Sequence, residues 1–196
     1  MSKITGRIFL IVEADRDGRY AKTIVQRCYP SIEVHLLPPK GHNRGIGALA
    51  EQIERLLKEA LLKKQTAHEP ACVAVLHDAD ESSTPNRNLH TIIRDACQKH
   101  KKQVILVLAK DEMESWLMAD SGVCAWLDKK PKNWDEETHP SKTFESWLDK
   151  AGKGKYDDAI ATQIAAKLMG DGGKVSPSLK SALQHLIDAP CTKSED

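Results

Sequence analysis

The sequence lacks an excess of either charge, a long apolar run and an obvious targeting segment. Its 196 residues carry 29 Lys plus Arg against 28 Asp plus Glu, a formal net charge of +1. This balance excludes both a uniformly basic nucleic-acid coat and an acidic tail protein. The longest apolar runs, such as residues 8–12, are far shorter than the roughly 20 residues that span a bilayer. The first residues show no signal-peptide pattern, so we expect no association with a membrane.

Cysteine and aromatic residues are also scarce. The five cysteines are odd in number and are never spaced as CxxC, so we expect neither a zinc knuckle nor a disulfide framework. This pattern predicts a cytoplasmic location. Aromatic residues make up only 5% of the chain, and all four tryptophans lie between positions 116 and 147. The hydrophobic content of 40% is nevertheless ordinary for a folded protein of about one domain.

Strand-like and helix-like segments alternate regularly in the first half of the chain. Four short runs rich in Ile, Val and Leu have the pattern of strands that are buried on both faces; they are 8–12, 32–37, 72–76 and 104–108. Amphipathic segments separate them: 17–28, 48–64 and a helix that opens at Thr84-Pro85. This order predicts an α/β fold, a three-layer sandwich with a mostly parallel four-stranded sheet.

The character of the sequence changes after residue 110. No strand-like run remains, and helices are expected over 111–120, 143–150 and 157–169 and from Ser176-Pro177 onward. We interpret residues 1–110 as an α/β core, 111–190 as a helical extension packed on that core, and 191–196 as a frayed tail. The whole folded chain is thus expected to form a single structure with one appendage.

Acidic residues stand at the ends of the predicted strands. Glu13 follows the first strand, and Asp78 and Asp80 end the third. In a doubly wound sheet these two strands are neighbours, and ligands bind beyond their carboxyl ends. Carboxylates forced together raise one another's pKa, and a cation such as Mg²⁺ or Mn²⁺ relieves the repulsion. The sequence therefore predicts a metal site formed by Glu13, Asp78 and Asp80. The alternative is that these are solvated residues that begin loops.

Two groups of residues could complete this site. Asp111-x-x-Glu114 has the spacing of a capping box, which would explain Glu114 without function; alternatively, Glu114 joins the acidic crevice. Lys40 and Arg44 lie in a glycine-containing loop after the second strand, and Lys110 ends the fourth. These basic residues are candidate phosphate contacts, or simply solvated side chains.

The same motifs resemble the TOPRIM signature. The resemblance comprises the segment Ile11-Val12-Glu13 at the end of the first strand and Asp78-x-Asp80 at the end of the third. Residues 112–120, EMESWLMAD, are similar to the "mEaWLlAD" segment of a small TOPRIM-like bacterial family related to OLD-type nucleases. At the first strand that family more often reads VEGxTE, whereas residues 12–17 here read VEADRD. Tyr156 also falls where the family has a tyrosine.

The resemblance implies a TOPRIM/Rossmann-like fold and a Mg²⁺- or Mn²⁺-dependent nuclease that hydrolyses phosphodiester bonds of DNA or RNA. It implies that Asp78 and Asp80 hold the metal and that Glu13 is a further metal ligand or the group that handles the proton. With Glu114 as the additional candidate, these acids are the expected catalytic residues. It also implies an ABC-type, OLD-like ATPase as protein partner in an antiviral defence system. Two alternatives stay open. The opening FLIVEAD also resembles a receiver-like signalling domain, and the chain could be a catalytically quiet regulatory partner of an ATPase.

Overall fold

A four-stranded parallel sheet forms the centre of the protein. The computed structural model describes residues 6–41, 45–78, 87–109 and 112–188. The strands are Gly6–Val12 (β1), Ile32–Leu37 (β2), Ala71–Asp78 (β3) and Val104–Ala109 (β4). They pair in the order β2-β1-β3-β4, and every pairing is parallel. The predicted α/β three-layer sandwich with a parallel four-stranded sheet is confirmed.

Helices cover both faces of the sheet. Helices α1 (Asp15–Cys28) and α8 (Pro177–Asp188) pack on one face, and α2 (Ile46–Gln65) and α3 (Arg87–Lys99) pack on the other. Successive side chains of a strand point to opposite faces, so Leu10 belongs to the apolar cluster of α1 and α8 while Ile11 belongs to that of α2 and α3. Burial on both faces explains why the strands are continuously apolar. Among the described residues, no helix has both the length and the apolar character needed to cross a bilayer.

The rest of the chain forms a helical extension on the α1 face. Its elements before α8 are Glu114–Leu117 (α4), Ser121–Trp126 (α5), Pro140–Lys150 (α6), Asp158–Lys167 (α7) and a 3₁₀ turn at Gly172–Lys174. Their apolar side chains join the cluster that already contains the β1 and β3 side chains of that face. Within the described part of the chain, no strand follows β4.

The helix that was expected over residues 111–120 is shorter in the structure, and Asp120 begins a second helix. The chain makes only one turn of helix in α4, and α5, which the sequence did not predict, begins at the next residue after Asp120. Asp120 has an extended backbone, and its carboxylate accepts hydrogen bonds from the N–H groups of Gly122 and Val123 as an N-cap. The same carboxylate accepts from Met169 and Gly170, which fixes the segment after α7.

Gly122 allows a close contact between α5 and the end of α7. A methyl group at this position would lie well inside van der Waals contact with the carbonyl oxygen of Lys167 and against the Met169 side chain. Glycine is therefore required here by the approach of the two backbones. Gly47, near the start of α2, differs in this respect, because nothing lies within 4 Å of the place a methyl group would occupy.

We expect Gly122→Ala to lower the free energy of unfolding by about 1–3 kcal/mol, because the backbones of α5 and α7 must separate. Gly47→Ala is the matched control, and it should leave stability unchanged or raise it by up to about 1 kcal/mol. Urea unfolding followed by circular dichroism measures both changes. Equal stabilities for the two variants would contradict the close packing described here.

Candidate functional site

The pairing of β1 with β3 brings two of the predicted site residues together. Val12 lies opposite Leu76, so the residues that follow both strands emerge side by side. This is the position where the strand order reverses, because β2 lies on one side of β1 and β3 on the other. The backbone N–H of Asp78 lies close enough to the Glu13 carboxylate to lower its pKa. Glu13 and Asp78, which are far apart in the sequence, are therefore neighbours in the structure.

Glu13 also contacts the start of α2. Gly45 precedes the helix with a φ of 90° and has no side chain that could cap it. Burial raises the pKa of Glu13, and the backbone N–H groups of Asp78 and of Ile46, the first residue of α2, oppose that shift. A carboxylate with two oxygens still has lone pairs to offer a cation.

Asp78 lies among the other acids of the site. Burial and the nearby carboxylates of Asp17, Glu114 and Glu13 raise its pKa well above the ordinary value. One of its oxygens, Oδ1, accepts a hydrogen bond from the backbone N–H of Met113, 3.0 Å away. This bond ties the end of β3 to the segment that leads into α4. Asp78 is therefore held in place but surrounded by charges of its own sign.

Asp17 and Glu114 complete the acidic cluster, and both are desolvated. Glu114 is only 4% exposed, and burial together with Asp17 raises its pKa to about 7, against the opposing effect of Arg16. Burial likewise raises the pKa of Asp17 to about 6. Asp17 was not among the predicted site residues. Its position four residues after Glu13, one helical turn into α1, is the signal that could have found it.

Arg16 is the positive charge next to these acids. Its Nη2 lies 3.8 Å from Glu114 Oε1, and its Nε lies 3.8 Å from Asp17 Oδ1. Both distances are too long for direct hydrogen bonds, although the charges still attract. The guanidinium carbon lies 4.3 Å from the centre of the Tyr156 ring, in a cation–π contact. Sequence reasoning assigned Arg16 no role.

The remaining predicted residues fall into two groups. Asp80, Arg44 and Lys110 lie outside the described residues. Lys40 is exposed at the carboxyl end of β2, where its backbone exchanges two hydrogen bonds with the Gln52 side chain. Among the residues that the structure describes, no three His, Cys, Asp or Glu side chains are arranged to hold one metal ion.

The donor set nevertheless suits a hard divalent cation. Mg²⁺ is commonly bound by one or two carboxylates and several waters, so Glu13 and Asp78 would suffice to hold it. Burial raises the pKa of all four acids, and charges of like sign add to the shift at Asp17, Asp78 and Glu114, with Arg16 opposing it at Asp17 and Glu114. A cation would relieve that repulsion and favour the ionised forms.

The raised pKa of Glu114 has a consequence for stability in the absence of metal. Between pH 4.5 and about 7, the folded protein keeps a proton on Glu114 that the unfolded chain has lost, so this residue lowers the free energy of unfolding as pH rises. In EDTA, Glu114→Gln should therefore gain stability relative to the wild type across this range, reaching on the order of 2 kcal/mol above neutrality. Urea unfolding at a series of pH values measures the difference.

Glu145→Gln, an exposed position on α6, is the control and should leave the pH profile unchanged. A Glu114→Gln variant whose stability relative to the wild type does not change with pH would contradict the raised pKa of Glu114.

Similarity to known proteins assigns no family to this arrangement. Comparisons with protein-family models, with curated proteins and with solved structures give no significant match to the chain. The features that bear on function are those of the site itself. Glu13 and Asp78 are neighbours at the switch point of the sheet, Asp17 and Glu114 lie beside them, and Arg16 packs on Tyr156.

Proposed function

We propose that this protein is a metal-dependent phosphodiesterase of TOPRIM type, a nuclease that uses Mg²⁺ or Mn²⁺ to hydrolyse DNA or RNA. The observation that carries the proposal is the meeting of Glu13 and Asp78 at the carboxyl ends of β1 and β3, with the half-buried Asp17 and the buried Glu114 beside them. Such a cluster is electrostatically unfavourable by itself. A site that binds a divalent cation and a phosphate group gives that arrangement a purpose.

We propose Glu13, Asp78 and Asp80 as the metal ligands; Glu13 and Asp78 are among the described residues, and Asp80 lies outside them. A bound ion would polarise the phosphate and lower the pKa of a water molecule at the site. Glu114, whose pKa lies near 7, can accept a proton from that water or return one to the leaving oxygen. Asp17 adds to the negative field that attracts the cation.

Protein partnership belongs to the same proposal. An ABC-type ATPase acting with this chain in antiviral defence is consistent with the TOPRIM-like motifs quoted above, and it would supply the trigger for cleavage. The sheet order β2-β1-β3-β4, with an acid ending β3, is also compatible with a receiver-like signalling domain. In that case Asp78 would have to accept a phosphoryl group, for which its buried, hydrogen-bonded carboxylate is poorly suited.

The proposal is tested with purified protein, plasmid DNA, single-stranded DNA and RNA in Mg²⁺ or Mn²⁺. We expect cleavage by the wild type and a loss of at least about a hundredfold in Asp78→Asn, because a ligand oxygen and its charge are removed. The same variant should be at least as stable as the wild type in EDTA, since it loses a repelled carboxylate. Mg²⁺ should raise the melting temperature of the wild type and not that of Asp78→Asn.

Asp95→Asn is the matched control, because Asp95 is exposed on α3 in the opposite layer of the sandwich. It should cleave and bind Mg²⁺ like the wild type. Full cleavage by Asp78→Asn would refute the proposed site. Binding of Mg²⁺ without cleavage of any nucleic acid would favour the quiet regulatory partner, and labelling of Asp78 by acetyl phosphate would favour the receiver.

A further inference from the structure

Arg16 has hydrogen-bond donors that no described residue uses. An arginine offers five N–H donors, and its two acidic neighbours both lie 3.8 Å away, beyond hydrogen-bond distance. Its Nε is buried and lacks a hydrogen-bond partner among the described residues. The side chain as a whole is 35% exposed, so other donors of the guanidinium can meet a ligand from solvent. Buried polar groups are normally paired, which makes an unpaired arginine donor unusual.

Two tyrosines next to Arg16 show the same deficit. Tyr20 is fully buried, and neither its hydroxyl nor that of Tyr156 makes a hydrogen bond of acceptable geometry within the described chain. Arg16 and Glu114 lie close enough to both hydroxyls to shift their pKa values. The guanidinium of Arg16 and the two buried hydroxyls therefore lie together at this edge of the acidic cluster. Of these three groups the guanidinium is partly exposed, and its donors suit an oxyanion.

Contacts from two separate elements fix the position of Arg16. The residue is in the first turn of α1, one residue before Asp17 and three after Glu13. Tyr156, just before α7, supports one face of the guanidinium, and Glu114 of α4 attracts one end of it. A planar guanidinium held on an aromatic ring loses little freedom when it binds, and its fork of N–H groups matches two oxygens of a phosphate.

Electrostatics explains why a phosphate would need this residue. Glu13, Asp17, Asp78 and Glu114 repel a phosphodiester when they are ionised, and a divalent cation offsets only part of that charge. Arg16 is the cation that lies within 4 Å of the cluster in the described part of the chain.

We infer that Arg16 binds a non-bridging oxygen of the substrate phosphate, and that Tyr156 is a positioning residue that holds the guanidinium toward it. The inference deepens the proposed function and rests on it for the identity of the substrate. It assigns the ligand class, a phosphodiester of a nucleic acid, to arginine donors that have no hydrogen-bond partner among the residues that the structure describes. The proton transfers proposed for Glu114 are unchanged by it, because Arg16 stays protonated throughout.

The test measures binding separately from cleavage. Fluorescence anisotropy follows a short labelled single-stranded DNA and an RNA of the same sequence in Ca²⁺, which takes oxygen ligands as Mg²⁺ does but in a looser geometry. We expect Arg16→Gln to weaken binding about ten- to hundredfold, the usual loss for one charge-assisted hydrogen bond. Arg16→Lys should lose several-fold affinity although it keeps the charge, because an ammonium has no planar fork.

Arg19→Gln is the matched control. Arg19 lies on the same helix and donates a hydrogen bond to Thr162 rather than facing the acids. Its substitution by Gln removes the same charge as Arg16→Gln does. Its affinity should stay within about twofold of the wild type at moderate salt. An equal loss of affinity in Arg16→Gln and Arg19→Gln would show that binding depends only on the total positive charge of the protein, and would overturn the inference.

Tyr156 supplies a second, independent readout. Tyr156→Phe keeps the ring and should bind like the wild type, whereas Tyr156→Leu removes the cation–π support and should weaken binding several-fold. When Arg16 is already Gln, Tyr156→Leu should have no further effect, since nothing remains for the ring to position. Additive losses in this double-mutant cycle would refute the positioning role, even if the Arg16 variants are less stable.

The outcomes separate this inference from the proposed function. Arg16-dependent binding without metal-dependent cleavage would keep the phosphate contact and reject hydrolysis. Cleavage by a wild type whose Arg16→Gln and Arg16→Lys variants bind and turn over normally would keep hydrolysis and reject the contact. Absence of any binding of DNA or RNA by the wild type would overturn the inference.

Discussion

Repulsion between desolvated carboxylates is the constraint on which the rest of the site depends. Parallel pairing of β1 with β3 fixes Glu13 beside Asp78, and the first turn of α1 adds Asp17. Burial makes each ionised form unfavourable, and each charge raises the pKa of its neighbours. A fold does not need such an arrangement for stability, since apolar residues of similar size would pack at lower cost. The cluster therefore indicates a role in chemistry rather than in folding.

The other buried acids of this protein show what a structural carboxylate looks like. Asp120 accepts hydrogen bonds from four backbone N–H groups. Asp135 accepts from the hydroxyl of Ser176 and from both the N–H and the hydroxyl of Ser178, which fixes the start of α8. These acids are surrounded by donors, and each one has an evident role in joining segments.

Glu112 and Glu114 make the same contrast within three residues. Glu112 accepts from the N–H and hydroxyl of Ser141 and so holds the first turn of α6. Glu114 is buried with like charges and with an arginine that stays 3.8 Å away. Among the described residues, acids that join segments through hydrogen bonds and acids that are crowded by charges of their own sign therefore coexist in one small fold.

Much of the fold could be predicted because its signals are local. Continuous apolar runs predicted all four strands, and β2 was predicted over its full length, residues 32–37. The proline at the start of α8 and the serine before it marked that helix, and the Ser176 hydroxyl does accept a hydrogen bond from the Leu179 N–H. Helix α5 was missed, because its start depends on Asp120, a residue that reads equally well as part of a continuing helix.

The site was only partly accessible to the same reasoning. Glu13 and Asp78 could be identified because a parallel sheet places the ends of its first and third strands together. Arg16 and Tyr156 could not be paired, since the 139 residues between them carry no periodic signal that joins them, and their contact exists only after the extension has folded back over α1. The burial that raises the pKa values of Asp17 and Glu114 is likewise a property of the packed chain.

The contact between Arg16 and Tyr156 makes the site a joint product of both halves of the chain. The sheet half contributes Glu13, Asp78 and the arginine, whereas the helical half contributes Glu114 and the ring on which the arginine rests. A fragment that stopped after β4 would leave the guanidinium free in water and would expose the ends of the strands. Dividing this protein into separate fragments would accordingly destroy the site. A change in how the two halves pack against each other would alter the position of Arg16 relative to the acids.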